Sequence, residues 1–174
     1  MKKLIIGVCL LFCALGARLA SATPQPDAWI LNDIAHYRAK TWHFQTLMGL
    51  APTRASRSVA GDPSRTYKLW VRQLWRGRAA RAKRRFASGP AHMQQWLCIH
   101  GHEGAWTART GNGYYGGLQM DLDFQRKYGF ALLKRKGTAN RWTPLEQMWV
   151  AEKAYRAGRG FRPWPNTARA CGLL

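Results

Sequence analysis

Hydrophobic positions recur with a helical period in five segments of this chain. In residues 23–48, "TPQPDAWILNDIAHYRAKTWHFQTLM", Ile30, Ile34, Tyr37, Phe44, Leu47 and Met48 share one face. Asp27 is placed to cap that helix. The stretch "APTRASRSVAGDPSR" is rich in Pro, Gly, Ser and Ala and reads as a linker. Residues 64–86 give a second helix with an apolar stripe of Tyr67, Trp70, Val71, Leu74 and Trp75. A third helix follows Pro90, with Met93, Trp96, Leu97 and His100 at helical spacing; Gly101 weakens it and Gly104 ends it. "TGNGYYGGLQM" breaks the pattern, because four glycines and an asparagine suit tight turns or a small hairpin. "DLDFQRKYGFALL" reads as a helix capped by Asp121. In "TPLEQMWVAEKAYRAG", Thr143, Pro144 and Glu146 form an N-cap, an N1 proline and a capping-box acid, and Gly158 stops the helix. Glu152 has Arg156 one turn on as its expected partner.

These elements predict a mainly α protein. A small helical domain with a Gly-rich hairpin or turn, residues 89–174, follows a helical, basic N-terminal segment with a linker, residues 23–88. Residues 1–22 have the form of a signal peptide. Lys2 and Lys3 precede the apolar run "LIIGVCLLFCALG", which is short for a membrane span, and the small residues "ASA" predict cleavage after Ala22. Export follows as an expectation.

Charge changes the picture of the surface. Lys and Arg number 28 against 8 Asp and Glu, a formal net charge of +20. The second helix carries Arg65, Lys68, Arg72, Arg76, Arg78, Arg81, Lys83, Arg84 and Arg85 with no acid between them. Such a helix suits attachment to an anionic surface, either a cell-wall polymer or a membrane. It equally suits packing on the main domain with a solvated charged back. Nucleic acid is not the expected main partner.

Cleavage after Ala22 removes two of the four cysteines. Cys98 and Cys171 then remain in an oxidising compartment, where an even pair predicts a disulfide. No cofactor and no metal is called for. "HEGAW" is not the H-E-x-x-H zinc motif, since Trp106 stands where the second histidine belongs, and neither a phosphate loop nor a G-x-S-x-G elbow occurs.

The acids are few enough to sort one by one. Asp27, Asp121 and Glu146 cap helices, and Asp62 lies in the linker. Glu103 has no comparable duty. It ends the third helix, where the macrodipole disfavours a negative charge, and apolar neighbours such as Trp106 would disfavour it further. An acid that keeps its proton is what general-acid cleavage of a glycosidic bond requires. Trp106, Tyr114 and Tyr115 offer flat faces for sugar rings. Thr110, Asn112 and Gln119 offer hydrogen bonds to hydroxyl and N-acetyl groups. The glycines let backbone approach a ligand closely.

"TGNGYYGGLQM" followed by "DLDFQRKYG" resembles the transglycosylase-like domain of the bacterial resuscitation-promoting factors. "WTPLEQMWVAEKAYRAGRGFRPWPNTARAC" resembles that family's closing helix and its final Trp-Pro and cysteine segment. The likeness covers about residues 92–172 and implies an α+β lysozyme-like fold acting on peptidoglycan glycan strands. By position, Thr110, Tyr114 and Gln119 match the family's substrate-lining turn, and Trp106 the tryptophan before it. The chain departs from the family ahead of that turn: an ungapped count places Gly101 at the catalytic position. A short local length change leaves Glu103, the sole acid of the preceding helix, as the catalytic acid. Asp121 and Asp123 are the candidates for a second carboxylate.

The resemblance implies a secreted, cell-wall-associated lytic transglycosylase or muramidase. It would cut the bond between N-acetylmuramic acid and N-acetylglucosamine with one glutamate. The alternative is a non-catalytic secreted cationic protein that binds cell wall or another polyanion on the same scaffold.

Overall fold

The computed structural model describes residues 27–55 and 58–174. The expected signal peptide and its cleavage after Ala22 lie outside the described residues. Among those described, no helix is long and apolar enough to cross a membrane.

Two long helices form the N-terminal part: α1, Ala28–Leu47, and α2, Arg65–Ala87. They run parallel. Asp27 at the start of α1 meets Arg65 and Lys68 at the start of α2, at 2.7 and 2.9 Å. Asp33 meets Arg72 at 2.6 Å, and Phe44 meets Phe86 near the other end, with ring centroids 5.5 Å apart. A parallel pair requires the chain between the helices to travel back along their length, about 30 Å for a helix of this size. Described residues on either side of 56–57, within the stretch expected to be a linker, pack against the helices. Thr53 accepts a hydrogen bond from Trp42 Nε1 at its carbonyl (2.8 Å) and exchanges bonds with the Gln45 amide (2.7 and 2.9 Å). Val59 is buried with Ile30, Ile34, Val71 and Trp75.

Two further expectations change in this part. Asp27 stands at the N-cap of α1 but makes no side-chain cap bond. Its carboxylate is taken by cations of α2 instead. The Lys68 hydrogen bond leads the effects that hold it below the usual carboxylate range. The apolar stripe of α2 is also displaced. Its buried line is Lys68, Val71, Trp75, Ala79 and Ala82, while Trp70 is 59% exposed.

The remaining helices are α3, Met93–Glu103; α4, Leu122–Lys136; α5, Pro144–Ala154; and α6, Pro165–Ala170. α3 starts three residues after Pro90, with His92 at its N-cap. Asp121 caps α4 as expected, accepting from Phe124 N at 2.7 Å. The capping box of Thr143 and Glu146 opens α5 as expected. α5 passes into a single π-type turn, Tyr155–Arg159, which ends where Gly158 takes a φ of 87°.

One buried cluster joins α3, α4, α5 and the C-terminal segment. It includes Trp96, Ile99, Leu118, Leu132, Val150 and Trp164. Glu152 lies inside it, 2% exposed. Its carboxylate accepts from Trp96 Nε1 at 2.9 Å and lies 3.1 Å from His92 Nδ1. Arg156, the expected partner, instead binds the backbone carbonyls of Glu152 and Met48. A buried acid needs donors near at hand, and the groups that reach it lie at the start of α3, 56 and 60 residues away in sequence.

The N-terminal pair docks against α5 through its C-terminal end. Leu47 belongs to the main cluster, Phe86 stacks on Trp149 with centroids 6.3 Å apart, and Trp149 Nε1 donates to Phe86 O at 3.0 Å. Lys153 reaches the carbonyl of Thr46 at 3.3 Å. Burial, with Arg156 nearby, lowers this lysine to about 8. An unfolded lysine holds its proton to about pH 10.4. Above pH 8 the unfolded chain therefore binds more protons than the native one, and stability rises with pH until the unfolded lysine also titrates. Denaturant unfolding at about pH 7.5 and about pH 9.5 is expected to show a gain on the order of 1 kcal/mol, allowing for partial solvent screening. Lys153→Met should remove that slope.

Candidate active site

The glycine turn is built without a regular strand. Tyr115 pairs with Met120 through two backbone bonds, at 3.1 and 3.0 Å, and forms a second bridge with Arg109. Buried amides fix it to the helices. Gln147 Oε1 accepts from Gly117 N at 2.9 Å, and its Nε2 donates to the carbonyls of Trp106 and Ala139. Gln125 Nε2 donates to Met120 O at 2.7 Å. Trp164 Nε1 donates to Leu118 O at 2.7 Å.

Glycine is required at Gly117 by space. A Cβ there would lie 2.5 Å from His100 Nδ1 and 2.7 Å from the Trp106 ring. Two residues on, Gln119 takes a φ of 42°, the one positive value at a non-glycine position among the described residues. Its amide is held by a bond to Gly116 O at 2.8 Å. A strained backbone held by surrounding contacts is a common feature of functional sites.

Glu103 is the last residue of α3, and Gly104 turns the chain away with a φ of 142°. Thr167, on α6, donates its hydroxyl to Glu103 Oε1 at 2.8 Å. Glu103, Asn112, Tyr114 and Gln119 line one groove of about 240 Å³, whose far wall is Pro163, Trp164, Pro165 and Asn166. A second hollow of about 160 Å³ continues it past Tyr114, Gln119, Pro163 and Trp164 to Asp121.

Three of the six residues expected to bind substrate therefore share the groove with Glu103, and three do not. Trp106 stacks on His100, with centroids 3.8 Å apart, and braces the turn from behind. Tyr115 packs against the main cluster, and Thr110 is exposed at the turn's outer edge. Asp121 borders the second hollow while its carboxylate caps α4. Asp123 is 90% exposed and paired with Arg126 at 2.8 Å, outside the groove. Gly101, the residue reached by an ungapped count, lies exposed on α3 with open space around its Cα.

The Cys98–Cys171 disulfide is present and joins α3 to the end of α6. His102 stands beside it, so two sulfurs and a ring nitrogen lie within 4.8 Å. The bond between the sulfurs takes both out of metal-ligand chemistry, which needs thiolates.

The pattern of residues missed Thr167 and the Pro163–Asn166 wall. Their signal was a tryptophan between two prolines, "PWP", in which the second proline suits the first position of a short helix.

A mainly helical unit with a braced glycine turn and one acid facing it across a groove has the features of a lysozyme-like domain. Residues 91–167 match the family described as Transglycosylase-like domain. Among curated proteins, resuscitation-promoting factor Rpf1 of Corynebacterium glutamicum is 37% identical over 73 residues, covering 40% of this chain and 35% of that protein. Resuscitation-promoting factor RpfE of Mycobacterium tuberculosis is 39% identical over 81 residues, covering 45% of this chain and 44% of that protein. The chain thus spans less than half the length of either relative. No solved structure matches it significantly.

Proposed function

We propose that the chain is an exported peptidoglycan-cleaving enzyme and that Glu103 is its general acid. One observation carries this reading: within the transglycosylase-like domain, the acid that ends α3 shares a groove of about 240 Å³ with Asn112, Tyr114 and Gln119 of the glycine turn. Gly101 borders open solvent, which favours the shifted acid over the ungapped position.

In the proposed reaction Glu103 protonates the glycosidic oxygen between N-acetylmuramic acid and N-acetylglucosamine. The resulting carboxylate then takes a proton from the nucleophile. Two nucleophiles fit. The muramyl 6-hydroxyl attacks its own anomeric carbon and leaves a 1,6-anhydro end, or water attacks and leaves a reducing end. A hydrolase normally brings a second carboxylate to the scissile bond. Asp121 is committed to a helix cap and Asp123 to a surface pair, which favours the intramolecular nucleophile. Mass spectrometry of the soluble products from purified peptidoglycan tests this. Anhydro-ended muropeptides are expected, whereas no soluble product after long incubation overturns the enzyme in favour of a non-catalytic wall-binding protein.

Thr167 is assigned as a positioning residue. Its hydroxyl fixes one oxygen of Glu103, so Thr167→Val should lower kcat roughly tenfold with KM little changed, the size of one lost hydrogen bond. Thr167→Ser keeps the hydroxyl and should restore the rate, which a purely structural role for the threonine methyl would not allow.

The basic helix α2 is read as the tether to an anionic wall polymer or membrane surface. Retention on sacculi in a sedimentation assay is then expected to fall steeply toward about 1 M salt, where screening acts within about 3 Å.

A further inference from the structure

A concavity of about 380 Å³, larger than the groove at Glu103, lies along the seam of α1 and α2. Its apolar lining is Met48 at the C-cap of α1, Leu50 just after it and Ala82 from α2. Its rim is formed by Arg78, Arg81 and Arg85. The spacing i, i+3, i+7 places the three arginines on one face, spread over about 10 Å of helix.

Several features of this rim point to an oxyanion. Among the described residues, the ion pairs of α2 involve Arg65, Lys68 and Arg72 at its start, and none of the three rim arginines meets a carboxylate. No acid occurs in the sequence between Asp62 and Glu103, so none is near in the chain to neutralise them. Like charges gathered on a concave wall repel one another and focus a positive potential into it. The neutral polar groups of the wall are already satisfied: Thr41 donates to Tyr37 O at 2.8 Å, and Gln45 and Thr53 bond to each other. The three arginines are left as the lining residues whose charge meets no carboxylate among the described residues. Arg78 is held in place over the Trp75 ring, 4.7 Å from its centroid.

The number of donors selects the anion. A planar carboxylate fills one guanidinium fork, whereas a tetrahedral phosphate offers oxygens in several directions at once. We infer that this groove binds a phosphate ester, its phosphate held by Arg78, Arg81 and Arg85 and its compact carbon body resting on Met48, Leu50 and Ala82. The ester is either a free small molecule or a lipid headgroup. The inference deepens the reading of α2 as an anion tether by giving that tether a discrete seat, and it does not depend on glycan cleavage.

The test uses two probes and a charge-matched control. The full chain is titrated with glycerol 3-phosphate by calorimetry and cosedimented with vesicles of phosphatidylglycerol, with phosphatidylcholine vesicles as the blank. Arg78→Gln/Arg81→Gln/Arg85→Gln is compared with Arg76→Gln/Lys83→Gln/Arg84→Gln, which removes the same charge from α2 outside the groove. The rim variant is expected to weaken binding roughly tenfold or more, and the control less than about threefold. Loss with the soluble ester identifies a free ligand, and loss confined to vesicles identifies a headgroup; either supports the groove. Equal loss in both variants overturns the groove while leaving diffuse tethering intact, and absence of binding by the unaltered chain overturns both. If the triple rim variant does not fold, Arg81→Glu, at an exposed position, carries the same comparison against Lys83→Glu.

Discussion

Glu103→Gln is expected to lose about three orders of magnitude in the release of soluble muropeptides, with its thermal midpoint unchanged. The substitution keeps the shape of the side chain and an oxygen that can accept from Thr167. It removes the one thing a general acid needs, a transferable proton. General acid catalysis typically contributes a factor of about 10² to 10⁴, and a thousandfold loss corresponds to about 4 kcal/mol of barrier. Glu103 is only half-buried and belongs to no structural ion pair among the described residues, so its removal should cost little stability. The measurement is product formation by mass spectrometry beside a thermal melt and a glycan sedimentation assay. Undiminished product from a folded variant would sink the assignment, and Asp121→Asn would then become the next variant to make.

Opening the Cys98–Cys171 disulfide should have the second largest effect, on stability and activity together. The bridge closes a sequence separation of 73 residues. Loop-closure entropy alone assigns a link of this length about 4 kcal/mol, a large share of the roughly 5–15 kcal/mol by which domains are stable. A Cys98→Ala/Cys171→Ala variant is expected to melt on the order of 10 °C lower. The functional reason is local. Cys98 lies five residues before Glu103 on α3, and Cys171 lies four after Thr167 at the end of α6. The bridge therefore clamps together the two helices that carry the proposed acid and its hydroxyl partner. Product release assayed well below the new melting point, where circular dichroism still reports a folded chain, should remain several-fold below wild type. Full activity there would confine the bridge to a stabilising role.

The helices were legible because each carried local signals. Periodic apolar positions, the Thr143–Glu146 capping box, the Asp121 cap and the stops at Gly104 and Gly158 all act within one or two turns, and all appear where expected. The glycine turn was legible for the same reason. The misplaced features each depended on a tertiary contact, two of them with partners distant in sequence. Asp27 looked like a cap because its own neighbourhood offered nothing else, but Lys68 and Arg65 stand 41 and 38 residues on. Glu152 had Arg156 in helical register, but Trp96 and His92 reach it across the core. Trp106 had the right residue type for a sugar platform, but packing turned it onto His100.

By itself the sequence determined the position of the five longer helices, the location of the flexible-backbone turn, the cationic character of α2 and the pairing of Cys98 with Cys171, because these follow from short-range sterics, capping and the simple count of charges and thiols. Only the tertiary structure decided that α1 and α2 run parallel, that Asn112, Tyr114 and Gln119 but not Trp106 face Glu103, and that Thr167 and the Trp164 corner close the groove. Those facts rest on packing between separate elements, where the orientation of each side chain is set by which neighbour fills the adjacent space.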